Sequence, residues 1–164
     1  MSVDMFRHYF GYHFAENRAL WDDHIVKLTT SAFTQPGRYS RGSIQKQLLH
    51  LIEVDEVWFC GLRGAEFPPE LDPAKYTSYD AIRTYWDAVE ASMKTYLNSL
   101  NPYILDSTPL ENEDANLRVW QVLFQVLNHG TDHRAQILRS LNDLGQKTTS
   151  QDYIFYAYNH SPKP

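Results

Sequence analysis

Apolar residues recur every three or four positions along four long stretches of this chain, with polar residues between them. That spacing is the mark of an amphipathic helix, whose 3.6-residue turn gathers such positions on one face. The first stretch runs from about 5 to 29, and Phe6, Tyr9, Phe10, His13, Asn17 and Leu20 open its rhythm. Gln35-Pro36-Gly37-Arg38 then breaks the pattern. A second stretch spans about 44 to 62, with Ser43 placed to cap it and two prolines, Pro68 and Pro69, beyond its end. A third covers about 79 to 100, with Thr77 or Ser78 as cap and Asn101-Pro102 as its stop. The fourth covers about 117 to 144, and Gly145 is a natural terminator.

Each stretch carries one of the four tryptophans, Trp21, Trp58, Trp86 and Trp120, which suits one shared core with large aromatic anchors. The expected fold is therefore all-α, a single four-helix-bundle domain over residues 1–164. Residues 103–116 read as a small β-hairpin or a loop between the third and fourth helices. The closing run of aromatics at 153–158 is too apolar to remain in water and is expected to dock on the helices.

Composition narrows the function. Of 164 residues, 43% are hydrophobic and 21% charged, as in globular proteins rather than disordered ones. The net charge is −5, and no basic run tracks phosphates, so a nucleic-acid role is not expected. A single cysteine, Cys60, excludes an internal disulfide and a cysteine-rich metal site; it reads as a small buried residue. Residues 1–7 lack the features of a signal peptide, and no stretch approaches the roughly 20 apolar residues that span a bilayer. No membrane association and a cytoplasmic location are the expectations.

The candidate chemistry lies in histidine. Val122, Val126, His129 and His133 form one stripe of the fourth helix. Histidines four residues apart stack one turn above the other and can reach one ion. Spacing alone leaves two readings open, a hydrogen-bonded pair and a metal pair. His50 sits among leucines on the second helix and by itself reads as a core residue. His129-Gly130-Thr131-Asp132-His133 lacks the glutamate of a zinc-protease helix, and no Glu-x-x-His pair suggests a di-iron bundle. Glycine-rich phosphate loops and serine elbows are absent too.

Two motifs carry a family resemblance. One is the segment from Leu48 to Phe59, with its early histidine and the aromatic pair Trp58-Phe59. The other is Asn128-His129-Gly130-Thr131-Asp132-His133-Arg134-Ala135-Gln136-Ile137. Together, and with Glu16-Asn17-Arg18-Ala19-Leu20 near the start and Leu144-Gly145 near the end, they resemble the DinB-like, YfiT-like (damage-inducible) family of metalloenzymes. The resemblance implies an up-down-down-up four-helix bundle, often a homodimer. It implies a divalent metal ion, zinc or nickel, held by His50, His129 and His133. Asp132 and Ala135 depart from residues frequent in the family and touch no implied ligand.

Characterised relatives resemble thiol-dependent S-transferases and isomerases. In these a low-molecular-weight thiol meets the metal, and a small-molecule substrate enters a pocket lined by aromatics of the first helix. The alternative is a non-catalytic metal- or ligand-binding stress-response protein. No catalytic acid or base is assigned. His13 and Asn17 read as core or pocket-border residues. Glu53 and Asp55 read as solvated, or as partners that orient an imidazole. Arg134 and Gln136 read as packing or dimer residues. His8, His24 and His160 carry no expected role.

Overall fold

The computed structural model describes residues 2–160, and among these every regular element is helical. Four long helices dominate: α1 (Val3–Asp23), α3 (Ile44–Arg63), α4 (Tyr79–Ser99) and α6 (Val119–Asp143). Three shorter ones, α2 (Thr30–Thr34), α5 (Pro102–Asp106) and α7 (Tyr153–His160), fill the connections and the tail.

The first helix is shorter than its periodicity predicts. It starts at Ser2, whose hydroxyl accepts from Met5 N–H, and stops at Asp23. A 3-10 turn, Ile25–Lys27, follows, and Thr29 then caps α2 through Ala32 N–H. Ile25 and Leu28 stay buried through the turn, so the apolar rhythm continues where the helix does not. Periodicity reports burial, and a threonine that accepts a backbone N–H offers the chain a new start.

The other boundaries follow local chemistry. Ser43 caps α3 by accepting from Lys46 N–H. Gly64, at φ 60°, closes that helix as Ala65 N–H reaches Cys60 O, well before the prolines. Ser78 rather than Thr77 caps α4. Gly145, at φ 77°, closes α6 the same way, with Gln146 N–H on Leu141 O.

Residues 103–116 form no hairpin. Asn101 Oδ1 accepts from both Tyr103 N–H and Ile104 N–H, and Pro102 takes the first helical position, so a helix starts where a strand was one of two expectations. A loop with a 3-10 turn at Asn112–Asp114 completes the link.

Helix α3 packs against α6 and α4, and α1 packs against the same two. Their apolar faces meet in one buried cluster. Trp21 and Trp86 lie inside it, edge to face. Trp58 and Trp120 are only half-buried at its margin, so two of the four tryptophans anchor the core. Helix α7 docks on α1 as its aromatic composition predicts. Tyr153 packs on Tyr9 and Tyr12 and pairs with His8 Nε2 at 2.9 Å. Gly11 leaves the room that Tyr156 fills, because any Cβ there would strike the tyrosine hydroxyl. No helix among the described residues is long and apolar enough to cross a membrane.

Candidate metal centre

The close contact of α3 with α6 brings His50 to the histidine pair of α6. Leu48, Leu49, Leu51 and Ile52 are buried around His50, and Val122 and Val126 are buried below His129. Those apolar neighbours seat the two helices, and all three imidazoles remain half-buried at the edge of the seam. His129 Nε2 and His50 Nε2 stand 3.2 Å apart. The His50 ring centroid is 4.7 Å from that of His133, and the His129 and His133 centroids are 4.2 Å apart. One ligating nitrogen from each ring lies within 4.8 Å of the other two. Among the described residues no fourth histidine, cysteine or acid joins this group.

All three rings are held neutral. Burial pushes His50 down to about 4, helped by the charges of Arg41 and His133. Burial, then His133 and His50, push His129 down to about 3, against the opposing pull of Asp132. Burial also lowers His133, with Asp132 opposing and Arg41 adding. Neutral imidazole is the form that binds metal, so no proton has to leave at neutral pH.

The donor set fits a divalent ion. Two nitrogens bound tetrahedrally at about 2.0–2.1 Å from zinc stand roughly 3.4 Å apart, close to the His50–His129 spacing. Between two neutral rings, that contact uses one lone pair and one proton at best. The Nδ1 atoms of His129 and His133 are buried with no hydrogen-bond partner. With Nε2 of His129 directed at His50, its Nδ1 remains unpartnered, so the protein by itself leaves the α6 rings short of hydrogen-bond partners.

Beside the triad lies a buried polar network. Arg134 sends one nitrogen to His13 Nδ1 at 3.1 Å and to Asn17 Oδ1 at 2.9 Å. Another reaches Gln151 Oε1 at 2.8 Å. Guanidinium only donates, so His13 Nδ1 accepts, and the ring's single proton sits on Nε2, facing Asp55 Oδ2 at 3.1 Å. His13 packs against Gly130, where a Cβ would run into its ring.

The network corrects several expectations. Asp55 is 1% exposed, not solvated, and the imidazole it orients is that of His13 rather than His50. Glu53 is half-buried and accepts Leu71 N–H at 3.0 Å. Gln136 bridges Asp132 and Ser40. His13 and Asn17 are core residues, as the periodicity implied, yet they belong to a charged cluster that periodicity could not show. The signal for that cluster was Gly130, a glycine inside a helix with no turn to explain it. The aromatics Phe6, Phe10 and Phe14 of α1 are buried in the core. A cavity of about 420 Å³ lies between Gly61, Ala65, Phe67 and Leu110. Gly61 is roughly 16 Å along α3 from His50 at 1.5 Å per residue.

Fold and site together define an all-helical protein with a three-histidine candidate metal centre. The chain belongs to the DinB family, whose model matches residues 1–163. No curated protein matches it.

Proposed function

We propose that this protein is a divalent-metal-dependent enzyme of the thiol-dependent S-transferase or isomerase type. His50, His129 and His133 hold the ion, with zinc or nickel the favoured identities. The observation that carries this reading is the convergence of three neutral, half-buried imidazoles from two helices with no fourth protein ligand in the group. Three protein ligands are the pattern of metal sites that keep a position for substrate, whereas structural sites close with four. Family membership supports the same reading. The arrangement proposed for α1, α3, α4 and α6 is an up-down-down-up four-helix bundle in one domain, paired as a homodimer.

A divalent ion supplies a positive charge that lowers the pKa of a bound thiol, so that the thiolate nucleophile is present at neutral pH. The protein's own part is positional. The α3–α6 seam holds the rings neutral and aimed at one point. The contact between His13 and Gly130, braced by Arg134, fixes α6 against α1, so the 129 and 133 positions keep their direction.

The test is metal analysis of untagged protein beside a His129→Ala, His133→Ala variant. About one divalent ion per chain, absent in the variant, is expected. Consumption of small thiols with an added electrophile should then depend on that ion. Absence of bound metal, with no stabilisation by zinc or nickel, would sink the reading and leave a ligand-binding or structural helical protein.

A further inference from the structure

The cavity of about 420 Å³ beside Gly61 lies toward the C-terminal end of α3, away from His50. Its volume falls within the range of small-molecule sites, about 300–1,000 Å³. Two surface segments close over the last turn of α3 to form it. Residues 64–72 lead away from that helix, and residues 107–117 connect α5 to α6. Gly61 is the floor. A Cβ there would stand 2.7 Å from Leu110 Cδ2 and 3.7 Å from Phe67 Cε1, so the missing side chain is what lets Leu110 close on the helix. Glycine is a poor residue for a helix interior, and this packing gives the reason for it at position 61.

The walls differ in character. Leu110 is half-buried, and Phe67 is 61% exposed, a large ring left beside an open cavity. Glu111, Glu113 and Asp114 line the same space, and none of them joins an ion pair among the described residues. Segments 64–72 and 107–117 carry six acids and no base, against a net charge of −5 for the whole chain, so the negative excess is concentrated here. The last turn of α3 forms a further wall and adds the negative end of a 20-residue helix dipole. Arg63, in that turn, lines a separate, smaller cavity beside Tyr85 and Met93. The field disfavours an anion and favours a cation. A bare metal ion does not suit the site, because among the described residues only the histidine triad gathers three ligating groups closely enough for one. An aromatic ring, an aliphatic wall and carboxylates without partners match instead an ammonium carried on an apolar body.

We propose that this cavity is a second ligand site, separate from the metal centre, and that it binds a small organic cation of the arylalkylamine kind. Phe67 meets the ammonium with its ring, Leu110 holds the apolar body, and Glu111, Glu113 and Asp114 balance the charge. The site stands independently of the histidine centre, since Gly61 is roughly 16 Å along α3 from His50.

The experiment follows backbone amide signals of full-length, isotope-labelled protein by NMR. Phenethylammonium is added to one sample and 2-phenylethanol, the same body without the charge, to another. Phenethylammonium should shift the amides of Gly61, Gly64 and Asn112 saturably and leave those of His50, His129 and His133 in place. It should bind about tenfold more tightly than 2-phenylethanol, the ratio that one exposed cation–π contact and one surface ion pair supply together. That preference should shrink at high salt. A Glu111→Gln, Glu113→Gln, Asp114→Asn variant, altered only in the surface link, should lose the preference while still binding 2-phenylethanol. Phe67→Ala should weaken both ligands. Absence of saturable shifts at the cavity, equal affinity for the two ligands, a preference that survives in the triple variant, or wild-type binding by Phe67→Ala overturns the proposal. Shifts confined to the histidine triad overturn it too and leave the metal reading standing.

Discussion

His13 donates from Nε2 to Asp55 across 3.1 Å, and both side chains are sealed from water. The pair matters because the positive charge of Arg134 lies on the other side of the same imidazole. Removing Asp55 leaves that guanidinium buried without its counter-charge. Asp55→Ala should cost about 3–5 kcal/mol in equilibrium urea unfolding, and Asp55→Asn, which keeps an acceptor for His13, should cost less. A loss below about 1 kcal/mol for the alanine variant would show the network to be dispensable.

Gly130→Ala tests the closest approach in the molecule's polar core. Alanine is intrinsically the better helix residue by about 1 kcal/mol. The new methyl would strike the His13 ring, so overpacking should win, with a net loss of about 1–3 kcal/mol. Adding His13→Ala should relieve part of that clash. Thermal melts of the single and double variants decide it; a stabilised Gly130→Ala would mean that the ring moves aside freely.

Acid should weaken the metal-free protein over a defined window. The folded pKa values of His50, about 4, and His129, about 3, lie below the 6.5 of an unperturbed histidine. Between those limits the unfolded chain takes up protons that the folded chain refuses, so stability falls as pH drops from about 6.5 toward 4. The slope is at most about 1.4 kcal/mol per pH unit for each proton, and half-burial tempers it. Urea midpoints with chelator at pH 7.5, 6.5 and 5.5 should fall more steeply for wild type than for the His129→Ala, His133→Ala variant. Parallel slopes would contradict the depressed values.

Metal should stabilise the native chain by mass action. At a free concentration of 1,000 times Kd the gain is about 4 kcal/mol. In a domain of this size that corresponds to a rise in Tm of roughly 8–16 °C. His50→Ala should abolish most of the rise while leaving the α6 pair intact. A full metal-dependent rise in that variant would show that α3 contributes no ligand.

Much of the fold was legible because its signals are local. Ser43 before α3 and Gly145 after α6 act on backbone groups within a few residues, and both work as their types predict. The end of α1 was not legible, since Ile25 and Leu28 stay buried through a break in the helix. The histidine pair of α6 could be seen from spacing, whereas His50 could be joined to it only through family resemblance, because helix pairing is a long-range property. Asp55 was the clearest misreading. An acid two residues from a glutamate looks solvated, and only the arrival of His13 from α1 and Arg134 from α6 gives it partners.

Two histidines of the triad lie one helical turn apart, while His50 and His129 are 79 positions apart in the chain. An ion gripped by all three is therefore a cross-link between distant parts of the polypeptide, like a disulfide in a chain whose only cysteine cannot form one. Because the three ligands meet only in the folded chain, this link adds its binding free energy to the native state rather than restricting the unfolded ensemble. Unlike a disulfide, it is withdrawn by a chelator or by acid rather than by a reductant.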